Sequence, residues 1–460
     1  MPDVKFARVS GFESFSVMDI SYKGLWKITL PIFSFLLIEN IIAFMDTAFL
    51  GRVSERQLAA ASIGGLYYVS VFIIGFGFSV GAQILISQRN GAGHFDKIGE
   101  IFATSLYGLI FLAALGFFST HFFDAQIFSK MVSSPDILHD VCRFMKWRQW
   151  GFFAIFCVIA FRSFYVGIAD TKVLAYSSWL IGIVNAALNY ALVFGKFGFP
   201  RMEIEGSALA STISEFSGLA LFAAYTFLKS DIKKYALKFG KVNPALCRQI
   251  LGLSAWTMAQ QFVYVAMWLF LFSFIEKFGQ HELAQSNIFK SILMFVYMPM
   301  YAFGATMNTV AGNLFGEGRV AEIPKACLRA IKLEYALVVP ALLLLVAIPF
   351  EVMSLYTDNP AILAGARIPF YCALFTVPFS IPAITTSNVI LGLGRTEAAF
   401  FIEFSVLFLY LGGLFFTVHH MHSFGATWTL DGWYWIIVTT LNLLYIKRAR
   451  ACASGAKLFS

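Results

Sequence analysis

Of the 460 residues, 59% are hydrophobic and only 13% charged, with a mean hydropathy of +0.74. A soluble domain carries roughly 25% charged residues, so this chain lacks the polar side chains to cover itself in water. The net charge of +8 at pH 7 does not point to nucleic acid, because no basic stretch is interleaved with aromatics and the basic residues gather in short loops, as a membrane topology requires.

The first twenty-odd residues are mixed polar with no cleavable signal evident, so the first long apolar run would serve as an uncleaved insertion signal. Spans are predicted at 26–50, 58–87, 98–120, 144–168, 173–195, 204–228, 248–275, 283–314, 324–349, 364–393, 396–418 and 424–446. Each is near or above the ~20 residues a membrane helix needs, and none shows the ten-residue alternation of a barrel strand.

A carboxylate inside a spanning helix is costly and is a functional candidate by default. The first span carries Glu39 and Asp46, seven residues apart and so on roughly one face. Such a pair would favour at least one bound proton; the alternative is that Asp46 caps the helix end and Glu39 pairs with a buried base. The second span runs into Gly91-Ala92-Gly93, read as a left-handed cap and not a phosphate loop, since no Lys-Ser/Thr follows. Direct drive by ATP is therefore not expected. In or beside the fourth span lie Arg148 and Arg162, as partners for the acids or as contacts for anionic substrate groups.

Asn185 and Asn189, one turn apart on the fifth span, can donate to a carboxylate or a ligand, or glue helices together. Ser211, Thr212 and Glu215 form a polar stretch on the sixth, and Gln260 and Gln261 lie on the seventh. Further along are Asn287, Lys290 and Pro299 on the eighth span, Pro378 and Pro382 on the tenth, and Glu403 on the eleventh. The prolines should kink their helices. His419, His420 and His422 lie at a helix end without a converging Cys or carboxylate pattern, so no metal site is expected. Six scattered cysteines form no CxxC pair and read as small buried side chains. No catalytic arrangement of the Ser-His-Asp or metal-protease type is evident.

With the N-terminus placed inside, about 22 of the 34 Lys and Arg fall in inside segments. They include Lys5, Arg8, Lys23 and Lys27, the 229–248 connection, and Lys447, Arg448, Arg450 and Lys457. Both termini are then cytoplasmic and the number of spans is even. An internal repeat recurs at one separation, 225 residues. Leu58-Ala59 matches Leu283-Ala284, and Gly91-Ala92-Gly93 matches Gly316-Glu317-Gly318. Pro135-Asp136-Ile137-Leu138 matches Pro360-Ala361-Ile362-Leu363, and Gly167 and Thr171 match Gly392 and Thr396. The expectation is an all-α membrane protein of twelve transmembrane helices in two pseudo-symmetric six-helix bundles with a cavity between them. The segments would be a cytoplasmic N-terminal stretch (1–25), a first lobe (26–228), a cytoplasmic connection (229–247), a second lobe (248–446) and a cytoplasmic tail (447–460).

Several blocks resemble the multidrug and toxic compound extrusion (MATE) transporters over about residues 20–450. They are Leu30-Pro31 with Met45-Asp46-Thr47-Ala48-Phe49-Leu50-Gly51, then Leu58-Ala59-Ala60, Gln88-Arg89-Asn90-Gly91-Ala92-Gly93, and Gly206-Ser207-Ala208-Leu209-Ala210-Ser211. The resemblance implies that Asp46 takes part in proton or Na+ coupling, and that Asn185 matches a polar family position. Asn189 falls where some members carry an aspartate, and Gln260 and Gln261 where some carry an acid on helix seven. The expected function is an antiporter that exports amphipathic, cationic organic molecules in exchange for H+ or Na+ by alternating access. It would act as a monomer in a bacterial inner membrane, with Asp46, Glu39, Asn185 and Asn189 at the ion site. Glu215, Ser211, Thr212, Gln260, Gln261, Arg148 and Arg162 are candidates to line the substrate cavity. Membrane lipid and a small-molecule substrate are the expected partners, with no cofactor beyond the transported ion and no nucleic acid. The alternative is a lipid-linked glycan flippase, which needs a cationic cavity.

Overall fold

The computed structural model describes residues 17–237, 240, 243–357, 359–363 and 365–454. Of the basic residues used for topology, Lys5, Arg8, Lys238, Lys241 and Lys457 lie outside the described residues. Among those described, the regular structure is helical throughout. That is the form in which a segment satisfies its own backbone hydrogen bonds in lipid.

The first half holds α1 (Tyr22–Gly51), α2 (Glu55–Gly91), α3 (Phe95–Phe128), α4 (Pro135–Arg148), α5 (Gly151–Gly167), α6 (Lys172–Phe194) and α7 (Ile204–Leu228). The second half holds α8 (Pro244–Ile275), α9 (Gln280–Gly316), α10 (Ile323–Ala347), the short α11 (Pro349–Ser354) and α12 (Pro360–Leu363), then α13 (Arg367–Gly392), α14 (Thr396–His419) and α15 (Phe424–Ser454). Ten of these helices are long and apolar enough to cross a membrane, and α4 with α5 makes an eleventh if the bent pair is one span. The twelfth expected span coincides with α15, which is long enough at 31 residues but diluted by Thr427, Thr429, Asp431, Thr439, Thr440 and Asn442.

The fourth span differs from its expectation. It is not one helix over 144–168 but two pieces bent by 50° at Gln149–Trp150. Gly151 opens the second piece where a Cβ would lie 2.4 Å from Arg148 Nη1 and 2.6 Å from Glu215 Oε2. The bend and the missing side chain together leave room for an ion pair against the backbone. The prolines expected to kink, Pro299, Pro378 and Pro382, sit inside α9 and α13, each of which continues as one helix through them.

The chain forms two compact units. One is Lys27–Asn90 with His94–Met258; the other is Gly91–Gly93 with Ala259 onward and the lead-in through Trp26. In the first, α6 packs on α7, α5 on α3 and α7, and α4 on α7. In the second, α13 is central, touching α9, α10, α14 and α15 around buried Phe289, Phe370, Trp428 and Tyr434.

The 225-residue repeat reappears in backbone detail. Helices α2 and α9 are both 37 residues long and start 225 apart. Their closing turns match: His94 N donates to Arg89 O and Arg319 N to Leu314 O, and Gly93 and Gly318 take φ of 72° and 73°. These two glycines supply the expected left-handed cap; Gly91 is still helical. At the end of α5, Asp170 N donates to Tyr165 O, as Arg395 N does to Ile390 O after α13. Gly167 and Gly392 lie against equivalent residues: a Cβ on Gly167 would meet Ile86 and the Gln83 carbonyl, and one on Gly392 would meet Ala311 and the Asn308 carbonyl. Every member of those contacts is displaced by the same 225 positions, so the duplication extends to how the helices pack.

Candidate functional site

The site is built inside the first unit. Asp46 is not a cap, because α1 continues to Gly51. One of its carboxylate oxygens accepts from Asn189 Nδ2 at 2.7 Å and the other from Ser211 Oγ at 3.0 Å. Asn185 Nδ2 donates to the same Ser211 Oγ at 3.1 Å, and Asn189 Nδ2 also reaches Asn185 Oδ1 at 3.2 Å. Helical spacing explains the arrangement: Asn185 and Asn189 lie one turn apart on α6, and α6 packs along α7, which carries Ser211. Both asparagines are fully buried, and Asn189 Oδ1 has no hydrogen-bond partner among the described residues.

One helical turn beyond Ser211 on α7, Glu215 accepts a bidentate pair from Arg148, with Nη2 to Oε1 at 2.6 Å and Nη1 to Oε2 at 2.9 Å. Tyr68 OH adds a third bond at 2.9 Å. The Arg148 guanidinium lies 3.6 Å from the centre of the Tyr68 ring, whose ring also stacks on Phe152 at 4.6 Å. The fork geometry and the aromatic face both suit arginine.

Asp46, Ser211, Tyr68, Arg148 and Glu215 open onto a cavity of about 430 Å³, within the range of small-molecule sites. Glu39, Asp46, Arg148 and Glu215 are the charged residues of its wall. The rest is mostly apolar and aromatic, including Phe35, Ile38, Ile42, Val69, Phe72 and Phe144, with Ser178, Ser207, Ser211 and Ser214 among the polar groups.

The structure thus brings together Asp46, Asn185, Asn189 and Ser211, and places Glu215 with Arg148 beside them. Glu39 lies on the same wall but outside the hydrogen-bonded cluster. Thr212 turns away and donates to the Trp147 carbonyl at 3.1 Å. Arg162 is buried outside this wall, 4.9 Å over the Phe76 ring, with Nε and Nη1 unpartnered among the described residues. Gln260 and Gln261 lie in the other unit, outside this wall; Gln260 lies beside Glu403. Glu403 is fully buried and accepts from Tyr264 OH at 3.0 Å and Ser387 Oγ at 2.9 Å. Sequence reasoning did not single out Tyr68. A tyrosine amid apolar residues needs a partner for its hydroxyl, and that was the available signal. It also passed over Glu334, buried and bonded by Thr385 Oγ1 at 2.6 Å, and Asp431, which accepts from Tyr410 OH at 2.8 Å.

Comparison with known proteins bears on this architecture. The MatE family model matches residues 31–191 and 257–412, two stretches whose starts lie 226 residues apart. A probable multidrug resistance protein NorM from Neisseria meningitidis serogroup B is 25% identical over 397 residues, covering 85% of each chain. The NorM from Thermotoga maritima is 23% identical over 385 residues, covering 83% of this chain and 82% of its own. Multidrug resistance protein PmpM from Pseudomonas aeruginosa is 23% identical over 407 residues, covering 85% and 82%. A solved MATE structure in the bent conformation superposes with a TM-score of 0.86 at 16% identity, covering 94% and 96%. A transporter of the MOP superfamily from Pyrococcus furiosus, described as having a reversed polarity of its binding pocket, superposes with a TM-score of 0.85 at 16% identity, with the same coverage. With the family model matched over more than half its length and the duplicated helical fold in place, the chain belongs to the MatE family of membrane transporters.

Proposed function

We propose that this protein is a secondary antiporter that exports amphipathic, cationic organic compounds in exchange for H+ or Na+. The observation that carries the reading is Asp46, a carboxylate inside a membrane helix, held by two donors and set in the wall of an apolar, aromatic cavity. The relatives named for multidrug resistance support efflux of varied small molecules. Asp46 takes the coupling ion, with Asn185, Asn189 and Ser211 shaping its surroundings. Ion and substrate must favour different states of the protein for one to drive the other, which alternating access between the two lobes provides. The setting is a bacterial inner membrane with both termini in the cytoplasm.

The cavity charge argues against the flippase alternative. A pyrophosphate-bearing lipid calls for a net-positive wall, whereas this one carries Glu39, Asp46 and Glu215 against the single guanidinium of Arg148. Transport in proteoliposomes, with proton and sodium gradients imposed separately against a panel of cationic dyes, tests the proposal. The wild type should export under one of the gradients. Asp46→Asn should insert normally and lose gradient-driven export by at least tenfold; undiminished export by that variant would remove Asp46 from the mechanism.

A further inference from the structure

Three carboxylates line the cavity of the first unit, and they are not equivalent. Glu215 is neutralised by the bidentate Arg148 pair and holds the Tyr68 hydroxyl as well. Asp46 has a donor on each oxygen, from Asn189 and Ser211. Glu39 lines the same wall and accepts no hydrogen bond and forms no ion pair among the described residues. The buried base that acts on it through space is Arg162. That guanidinium is turned over the Phe76 ring, with Nε and Nη1 unpartnered among the described residues. Glu39 therefore keeps both oxygens open to a ligand in the cavity.

The wall around it selects the kind of ligand. Phe35, Phe72 and Phe144 offer aromatic surface, and Ile38, Ile42 and Val69 offer flat aliphatic surface. Tyr68 is not free to stack, because Arg148 covers one face of its ring and Phe152 packs against it. A free carboxylate among phenylalanines suits an aromatic ring system carrying one delocalised positive charge, held by stacking, cation–π attraction and one counter-ion. Seven residues of α1 separate Glu39 from Asp46, a rise of about 10 Å, enough for a ligand charge and a coupling ion to occupy separate places.

Resting on the transport reading above, we propose that Glu39 is the counter-ion for the positive centre of a planar aromatic cation, while Asp46 is reserved for the coupling ion.

Two dyes of one shape isolate the charge: N-methylacridinium, a permanent cation, and acridine, uncharged at pH 8. Binding is read by fluorescence titration of the full chain in nanodiscs. The wild type should bind the cation at least tenfold more tightly than the neutral ring. Glu39→Gln should abolish that preference and leave the neutral ring's affinity unchanged, the latter showing that the cavity still forms. A preference that survives in Glu39→Gln, or an equal loss for both dyes, overturns the assignment. Gradient-driven export by the same proteins separates this from the parent reading. A Glu39-dependent preference without export under either gradient sinks transport and keeps the site; export with a preference indifferent to Glu39→Gln does the reverse.

Discussion

At the scale of single residues, the site depends on charges that are paired before any ligand arrives. Breaking a buried pair by removing one partner commonly costs about 3–5 kcal/mol, because the remaining charge is stranded. The Arg148–Glu215 fork sits against the start of α5, where Gly151 leaves no side chain in its way. Gly151→Ala would place a methyl 2.4 Å from Arg148 Nη1 and 2.6 Å from Glu215 Oε2, so the fork must splay. The expected cost is that of overpacking, about 1–3 kcal/mol. It should appear as a drop of several degrees in apparent melting temperature in detergent, at one fixed scan rate because such unfolding is often irreversible. Gly252→Ala, on α8 with nothing within 4 Å, is the control and should leave the melting temperature unchanged or raise it. Arg148, Glu215, Asp46 and both asparagines could each be picked from the sequence, since polar groups in apolar spans stand out. Their pairing could not. Which acid meets which base depends on the 50° bend between α4 and α5, and hydropathy is blind to it because one apolar window runs across the bend, from the last turn of α4 into α5.

At the scale of elements, helix positions were legible because the apolar runs match the bilayer thickness, but helix neighbours were not. Membrane helices gain little from burying apolar surface against each other and instead approach through small residues and interhelical hydrogen bonds. Helix α2 shows this with Gly77 and Gly81, four apart on one face. A Cβ on Gly77 would meet Met258 at 2.5 Å, and one on Gly81 would meet Ser254 Oγ at 2.2 Å and the Ile250 carbonyl at 2.9 Å. The same face of α8 is fixed by Ser254 Oγ donating to the Phe78 carbonyl at 2.8 Å and Thr257 Oγ1 to the Gly77 carbonyl at 2.9 Å. The Gly77-x-x-x-Gly81 spacing was present in the sequence, yet nothing there identified α8 as its partner. Gly81→Ala should separate the two helices and cost more than the ordinary gain of about 0.5–1 kcal/mol from replacing a helical glycine. Adding Ser254→Gly removes the nearest clash and should recover part of the lost thermal stability. A double variant no better than Gly81→Ala alone would show that Ser254 does not set the helix separation.

At the scale of the whole chain, the 225-residue repeat was the most informative feature of the sequence, and it sharpens the comparison of the halves. Glu39 corresponds to Tyr264, Arg162 to Ser387, and Ser178 to Glu403. In the second half these three positions meet, since Tyr264 and Ser387 both donate to Glu403. The same junction is thus polar in each half, with the acid moved from the first helix of the unit to its fifth. The halves differ in which residues carry charge, yet their polar positions coincide. Asp46, by contrast, corresponds to Leu271, and Asn189 to Leu414, both in the apolar core of the second unit. The Asp46 site therefore has no acid at its equivalent positions there, whereas Glu403 takes both of its donors, Tyr264 and Ser387, on one oxygen, with Oε2 unpartnered among the described residues. From this it follows that Glu403→Gln should keep gradient-driven export within about threefold of the wild type while Asp46→Asn loses it. Glu403→Ala should instead lower thermal stability, because the Tyr264 and Ser387 hydroxyls lose their acceptor at about 1–3 kcal/mol for each buried group left unsatisfied. A correctly folded Glu403→Gln protein that no longer exports would place coupling in both halves and undo the division of labour argued from the repeat.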